Sequence, residues 1–178
     1  LKNMKIISTK FKDLKVFKGK THLDKRGAFR EFFLKKKINN FQNIFWCMSK
    51  SKKNVLRGLH IQKVKNQAKY VSVIKGKIFD VAVDLRRKSK TFGKVFTIIL
   101  SDKNSKSVFI PKGFAHGFLS LEKENYVVYA NSNYRSKGNE IGILWNDKDL
   151  KIKWPTKRPL VSNKDQNNLT LKNFLRKN

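Results

Sequence analysis

Hydrophobic and polar residues alternate along most of this chain with a period of two, which is the pattern of β-strands. The clearest example is a pair of runs at residues 70–74 and 78–85, separated by Lys75-Gly76. We predict that these two runs pair as a hairpin through that turn. Shorter strands are predicted within residues 1–20, 28–33, 44–49, 94–100, 108–110 and 125–130, with turns at 22–27 and 50–54 and a helical turn or loop at 35–41.

Helical periodicity is confined to the C-terminal end of the chain. Leu169, Leu171, Phe174 and Leu175 follow a helix-like spacing within residues 167–178. Many short strands with few helices are typical of an antiparallel sandwich or barrel. Because no repeat or low-complexity linker interrupts the 178 residues, we predict one all-β domain.

The stretch Val-Leu-Arg-Gly-Leu-His at 55–60 places two polar side chains inside an apolar run. We expect Arg57 and His60 to be buried there. Buried charged or titratable groups are costly unless they are partnered, so both are candidates for a functional site. The alternative is a core histidine bonded to the backbone and an arginine at the end of a strand. This segment alone does not decide between the two.

The formal net charge of +30 would ordinarily suggest a polyanionic partner. However, only eight of the 42 basic residues are Arg, and the lysines are spread along the chain rather than grouped. Abundant Lys, Asn, Ile and Phe are the residues of A/T-rich codons. Because bidentate base and phosphate contacts rely on Arg, we expect no specific nucleic-acid binding. The cations remain suited to a small, doubly charged ligand such as a diphosphate.

Sequence features also bear on location and on metal binding. No apolar run is long enough to cross a bilayer or to serve as a signal region, so we expect a cytoplasmic protein without membrane contact. The single Cys47 excludes an internal disulfide. His60 is followed by Ile61 and Gln62, where a barrel metal site would need a second histidine at Gln62. We therefore predict no metal and treat His60 as a proton carrier.

Motif searches find no P-loop, no G-x-G-x-x-G, no G-x-S-x-G and no H-E-x-x-H. No two of the remaining candidates lie close enough in sequence for their spacing to establish a site. Candidate partners of His60 are Asp165 as an orienting carboxylate, Tyr129 and Tyr134 as proton donors, and Lys69 and Arg57 as cations. Each of these residues has a common structural role as well, such as a core tyrosine, a solvated lysine or a capping aspartate.

A series of short segments, collinear over nearly the whole chain, carries more specific information. They are DKRGAFRE at 24–31, SKS at 49–51, VLRGLHIQ at 55–62, QAK at 67–69, GKIFDVAVDLR at 76–86, SKTFG at 89–93, IPKGFAHGF at 110–118, GILWND at 142–147, IKWP at 152–155 and LVSNKD at 160–165. Together they resemble the dTDP-4-dehydrorhamnose 3,5-epimerase family.

The resemblance implies a cupin-type antiparallel jelly-roll barrel with short helical segments, usually assembled as a homodimer. Residues 156–178 would form a C-terminal tail that packs near the site. The implied reaction epimerises dTDP-4-dehydro-6-deoxyglucose at carbons 3 and 5 to give dTDP-4-dehydrorhamnose. It removes a proton next to the 4-keto group and returns one from the opposite face, without a metal or organic cofactor.

The same resemblance assigns residue roles by motif. His60 corresponds to the general base, Asp165 to its paired carboxylate and Tyr129 to the acid on the opposite face of the sugar. Lys69 and Arg57 match active-site cations, and His116 matches a further active-site position. Residues matching positions that hold the nucleotide end, some of them across the dimer, are Arg26, Phe29, Glu31 and Tyr134.

Two departures from the family pattern keep alternatives open. The family usually carries Gln-x-Asn where this chain has Phe45-Trp-Cys47, and Arg135 replaces a common aromatic residue. The change at Phe45 and Cys47 permits a 3-epimerase that acts at one carbon only, or on another nucleotide-linked 4-keto sugar. A cupin that binds a nucleotide sugar or another anion without catalysis is a further hypothesis.

Overall fold

The computed structural model describes residues 4–38 and 41–177, and within them the chain is built mainly from antiparallel strands. The strands are β1 (Lys5–Ser8), β2 (Lys15–Lys18), β3 (Thr21–Asp24), β4 (Gly27–Arg30), β5 (Phe45–Lys52), β6 (Val55–Gln62), β7 (Lys69–Lys75), β8 (Lys77–Asp84), β9 (Val95–Ser101), β10 (Lys106–Ile110), β11 (Phe114–Ser120), β12 (Glu124–Asn131), β13 (Glu140–Gly142) and β14 (Leu160–Val161). The helices are short: two 3-10 turns (Lys35–Lys37 and Lys137–Asn139), α1 (Asn163–Gln166) and α2 (Leu171–Lys177).

Two large sheets make up the body of the fold. The first has the strand order β1-β2-β10-β7-β12-β5, and the second has the order β13-β6-β11-β8-β9 with β14 beside β6. Strands β3 and β4 form a separate hairpin. This arrangement confirms the prediction of an all-β antiparallel jelly roll.

Period-two alternation in the two sheets explains where the core lies. In β7 and β8, the side chains of Val71, Val73, Ile78 and Ala82 belong to one buried cluster, which also contains Phe118 of β11. The opposite side of the second sheet carries another apolar cluster, covered by the C-terminal segment through Leu171 and Phe174. Both faces of the second sheet are therefore buried along most of its length.

The predicted hairpin between residues 70–74 and 78–85 is wrong. Strand β7 pairs with β10 and β12, whereas β8 pairs with β11 and β9 in the other sheet. The connecting Gly76 has a φ of +87°, and a Cβ there would collide with the carbonyl of Glu124. The chain thus passes from one sheet to the other at Gly76. Alternation identified both strands but carries no information about their partners.

Several predicted boundaries also shift. Part of the predicted turn at 22–27 is strand β3, and β5 continues to Lys52 through the predicted turn at 50–54. The C-terminal helix is shorter than predicted, because α2 covers only Leu171–Lys177. Residues 1–3, 39–40 and 178 of the predicted elements lie outside the described residues. No helix in the described ranges is long and apolar enough to span a membrane.

Glycines 58 and 117 allow β6 and β11 to approach closely between the two polar residues of the 55–60 stretch. Gly58 has a φ of +118°, and a Cβ there would lie 2.6 Å from the Cα of Gly117. The register of the strand pair shifts between His116 and Phe118 at the same place. Only a residue without a side chain fits this conformation and this contact.

We predict that Gly58→Ala destabilises the protein more than Gly93→Ala does. Gly93 also has a positive φ, of +71°, but no atom lies within 4 Å of the position that a Cβ would take there. The Gly93 variant should therefore lose stability only through the strain of a positive φ. The Gly58 variant adds an overpacking cost of about 1–3 kcal/mol to the same strain. Urea unfolding at one protein concentration measures the free energy of unfolding of both variants. Equal losses of stability would contradict the close approach of β6 and β11.

Candidate active site

A cavity of about 540 Å³ opens between the two sheets. Strands β5, β7 and β12 of the first sheet form one wall, and β6, β11, β13 and α1 form the other. Six of the predicted site residues line it, namely Arg57, His60, Lys69, His116, Tyr129 and Asp165. The fold thus brings together residues that are far apart in sequence.

His60 and Asp165 form a hydrogen-bonded pair on the second-sheet wall. The His60 Nε2 lies 2.6 Å from Oδ1 of Asp165, across 105 positions of sequence. The other carboxylate oxygen accepts the backbone N–H of Gly58 at 3.1 Å. Because the carboxylate accepts the Nε2–H, the neutral ring keeps its lone pair on Nδ1.

The local structure of the C-terminal segment places Asp165. Strand β14 runs parallel to β6, and Ser162 then caps α1 by accepting the backbone N–H of Asp165 at 3.2 Å. Burial alone would raise the pKa of Asp165, but hydrogen bonds from His60, Gly58 and Asn168 outweigh it and leave the pKa below its ordinary value. Asp165 is therefore an ionised carboxylate at neutral pH.

Tyr129 reaches the cavity from the first sheet, on the wall opposite His60. Its hydroxyl lies 3.0 Å from Oγ of Ser49. Burial raises the pKa of Tyr129 well above its ordinary value, and the Ser49 hydrogen bond only partly opposes this effect. The phenol therefore keeps its proton at neutral pH and is available as a proton donor.

Lys69 lies at the start of β7 and opens into the same cavity. Burial lowers its pKa, while the charges of Glu140, Cys47 and Asp80 act in the opposite direction. The amine has no hydrogen-bond partner among residues 4–38 and 41–177. It is thus placed to bind a group that enters the cavity.

Arg57 is exposed and His60 is only partly buried, which corrects the expectation that their apolar neighbours bury both. Its Nε donates to Oγ of Ser51 at 3.0 Å, and Nη2 donates to the carbonyl of Lys50 at 3.2 Å. The side chain turns away from the apolar core and lines the mouth of the cavity. Two bonds to β5 hold the guanidinium there while leaving further N–H groups for a ligand.

His116 belongs to a second histidine–aspartate pair that sequence reasoning missed. Its Nε2 lies 2.8 Å from Oδ2 of Asp80, and neither side chain is more than 5% exposed. Oδ1 of Asp80 has no hydrogen-bond partner in the described part of the chain. The available signal was the position of Asp80 on the same side of β8 as the core residues Ile78 and Ala82.

Glu140 is another residue that the sequence did not single out. Its buried carboxylate accepts two hydrogen bonds from Arg135, at 2.8 and 2.9 Å, and a third from Lys164. Burial raises the pKa of Glu140, but these bonds dominate and bring it to about 2. Glu140 therefore holds two cations at the edge of the cavity beside His60.

The departures at Phe45 and Cys47 face this cavity. Both line it, and the Phe45 ring stacks on Tyr134 with centroids 5.8 Å apart and planes 12° from parallel. Tyr134 is 72% exposed and lies at the mouth rather than in the wall. Nδ2 of Asn131 contacts Sγ of Cys47 at 3.5 Å. An aromatic ring and a thiol thus occupy the part of the wall where the family pattern has polar residues.

The remaining predicted residues do not meet the cavity of their own chain. Arg26 and Phe29 lie on the β3–β4 hairpin, and Glu31 follows it. Arg26 pairs with Asp24 at 2.7 Å, and Phe29 is 68% exposed. Among the residues described, no three His, Cys, Asp or Glu side chains are grouped as a metal ion would require.

Comparison with known proteins supports the same assignment as the motifs. Residues 8–173 match the family model described as dTDP-4-dehydrorhamnose 3,5-epimerase. The chain is 44% identical over 173 residues to the enzyme of that name from Shigella flexneri, covering 92% of this chain and 94% of the relative.

Two solved structures share the fold. One is the dTDP-6-deoxy-D-glucose-3,5-epimerase of Legionella pneumophila in complex with dTDP-4-keto-L-rhamnose, with a TM-score of 0.91, 39% identity, and coverage of 95% of this chain and 93% of that one. The other is a 3'-monoepimerase from Streptomyces bikiniensis in complex with dTDP-quinovose, with a TM-score of 0.89, 28% identity, and coverage of 94% and 88%. The family model and the curated relative establish that this chain belongs to the dTDP-4-dehydrorhamnose 3,5-epimerase family.

Proposed function

We propose that the cavity between the two sheets epimerises dTDP-4-dehydro-6-deoxyglucose at carbons 3 and 5, yielding dTDP-4-dehydrorhamnose. Family membership supports the isomerase activity and the substrate class. The observation that carries the mechanism is the placement of the His60–Asp165 pair on one sheet and the protonated Tyr129 on the other. A sugar ring held between the two walls would have a base on one face and an acid on the other.

The base is His60. The hydrogens on carbons 3 and 5 flank the carbonyl at carbon 4, so that removal of either leaves an enolate rather than a bare carbanion. His60 takes the proton on the lone pair of Nδ1, and Asp165 stabilises the imidazolium that forms. The backbone N–H of Gly58 fixes the carboxylate in this position.

Tyr129 and Lys69 complete the reaction. The ammonium of Lys69 stabilises the negative charge on the enolate oxygen, in a partly buried place where such a contact is stronger than in water. Tyr129 then gives its phenolic proton to the carbon from the opposite face, which inverts the centre. The electron pair returns to carbon and the carbonyl is restored, so no oxidation or reduction takes place.

The mouth of the cavity accepts the nucleotide. Arg57 provides a cation for the diphosphate, and Phe45 with Tyr134 provides an aromatic surface for the base. His116, held by Asp80, faces the sugar from β11. Expulsion of water by these groups would strengthen every charge interaction around the reacting carbons.

Substitutions on the two walls of the cavity should affect solvent exchange differently. In D₂O, His60→Asn should lose both deuterium entry and inversion, with a rate at least about 100-fold lower, because Asn cannot accept the proton. Tyr129→Phe should lose inversion but still admit deuterium at carbons that keep their configuration. NMR of the recovered sugar measures both quantities, and calorimetry with dTDP checks that binding survives.

Wild-type enzyme provides the reference for this experiment. Deuterium at both carbons is expected, whereas deuterium at carbon 3 alone would favour the 3-epimerase alternative. Exchange that continues unchanged in His60→Asn would refute the assignment of the base. Binding of the nucleotide sugar without any exchange would favour the non-catalytic cupin.

Replacement of Lys69 should lower the rate without abolishing binding. Lys69→Met removes the cation from the enolate oxygen and should reduce kcat by about 100- to 1000-fold. Since burial lowers the pKa of Lys69 below 10.5, wild-type kcat should fall as pH rises through that lowered pKa and the ammonium loses its charge. Lys69→Arg stays charged at higher pH, so the alkaline fall in its kcat should occur at a higher pH than in the wild-type enzyme. An alkaline fall at the same pH in both enzymes would contradict the role of the Lys69 ammonium at the enolate oxygen.

The exposed apolar residues suggest the assembly. Strand β5 is an edge of the first sheet, with Trp46 and Met48 exposed on it, and the β3–β4 hairpin exposes Leu23 and Phe29. Exposed apolar side chains on an edge strand favour contact with another chain. We infer a homodimer in which each hairpin reaches the cavity of the partner, so that Arg26, Phe29 and Glu31 contact the nucleotide there.

Mixing two inactive variants tests this arrangement. If the hairpin acts across the interface, a hybrid of His60→Asn with Arg26→Ala contains one intact site, and re-associated mixtures should recover about a quarter of wild-type activity. The matched control mixes His60→Asn with Asp165→Asn, which damages the same wall in each chain and should give no recovery. A monomer in analytical ultracentrifugation, or no gain from the first mixture, would refute the proposal.

A further inference from the structure

The hydroxyl of Ser49 makes the one hydrogen bond to the Tyr129 hydroxyl within the described part of the chain, at 3.0 Å. In the β5–β12 pair, Tyr129 stands directly opposite Cys47, while Ser49 stands opposite Val127. Ser49 is therefore the diagonal neighbour of Tyr129, within reach of a long aromatic side chain. The phenol leans along the sheet toward Ser49 rather than toward its direct partner.

The cavity-facing side of β5 carries two serines with different partners. Ser49 contacts Tyr129, and two residues along the strand Ser51 accepts a hydrogen bond from Nε of Arg57 at 3.0 Å. One strand therefore holds both the proposed proton donor and a proposed substrate-binding cation. The two serines are matched in residue type, strand and face, and differ in what they hold.

We propose that Ser49 is a positioning residue that directs the phenolic proton of Tyr129 toward the sugar and stabilises the phenolate left after transfer. This inference rests on the proposed epimerisation. A phenol hydroxyl can donate one hydrogen bond and accept others. When Ser49 donates to the phenol oxygen, the Tyr129 proton is left free for the carbon.

The need for this contact follows from the surroundings of Tyr129. The ring packs against His116 and Phe118 in a partly buried position. The buried carboxylate of Asp80, hydrogen-bonded to His116, disfavours a second negative charge nearby. A phenolate formed there would be costly without a donor, and the Ser49 hydroxyl supplies one at hydrogen-bond distance.

The proton balance makes the proposal specific. His60 breaks the carbon–hydrogen bond and becomes imidazolium, while the electron pair enters the enolate. Tyr129 forms the new carbon–hydrogen bond and becomes phenolate, which accepts from Ser49. Water then takes the extra proton from His60 and returns one to Tyr129. If transfer from Tyr129 is slow, the imidazolium exchanges with solvent and returns its deuteron to the original face.

We expect Ser49→Ala to uncouple exchange from inversion. The inversion rate should fall about 10- to 100-fold, as expected for one lost hydrogen bond to a charged group, while deuterium continues to enter carbons that keep their configuration. KM should change little, because Ser49 does not hold the substrate. Ser49→Thr retains a hydroxyl and should restore the wild-type ratio of inversion to exchange.

Ser51→Ala is the matched control, with the same substitution on the same face of β5. It loosens Arg57 and should raise KM without changing the ratio of inversion to exchange. If wild-type enzyme inverts both carbons and Ser49→Ala keeps the wild-type ratio, the positioning role of Ser49 is refuted while the proposed function stands. If wild-type enzyme shows neither exchange nor inversion, the proposed function itself fails.

Discussion

Asp165 is a charged residue of which only 4% is exposed, and the arrangement of the candidate site depends on stabilising that buried charge. A buried carboxylate is tolerated only when hydrogen bonds replace its lost solvent. Here the replacements come from the His60 ring and from the backbone of Gly58, both on β6. The same contacts tie the C-terminal segment to the second sheet and fix the orientation of His60.

The conformation of Gly58 is part of this constraint. Its positive φ and close contact with Gly117 occur where its N–H points at Asp165. A larger residue would separate β6 from β11 and move the donor away from the carboxylate. Packing between two strands and charge stabilisation in the site therefore depend on one glycine.

The two-sheet architecture provides the opposing walls that the proposed chemistry requires. His60 extends from the second sheet and Tyr129 from the first, while Lys69 lies on the neighbouring strand β7. The electrostatic environment differs between the walls. Hydrogen bonds lower the pKa of Asp165, and burial raises that of Tyr129. One wall thus offers an ionised carboxylate behind a base, and the other offers an acid that keeps its proton.

Most strands could be predicted from the sequence, because alternation of polar and apolar residues directly reflects the two faces of a strand. Their partners could not, and the hairpin across Gly76 is wrong because two alternating runs look alike whether they pair or separate. The family motifs named His60 and Asp165 together, although 105 positions separate them. Asp80, Glu140 and Ser49 were not assigned to the site. Asp80 and Ser49 meet their partners only when different strands pair, and Glu140 binds Lys164 of α1 as well as Arg135.

Arg57 shows the limit of local context. Its apolar neighbours predicted burial, and period two would place Arg57 and His60 on opposite sides of β6. Both side chains line the cavity because the register of β6 against β11 shifts between them. Phe45 and Cys47 could be recognised in the sequence as departures, and the structure adds that both line the cavity. Their stacking and thiol contacts depend on Tyr134 and Asn131, which come from later parts of the chain.

The approach of base and acid to the sugar from opposite sheets can be tested most directly by a crystal structure with dTDP-quinovose bound. We expect the His60 ring on one face of the sugar and the Tyr129 hydroxyl on the other, each about 3–3.5 Å from a reacting carbon. A sugar with both groups on the same face, or bound outside this cavity, would contradict the proposed mechanism.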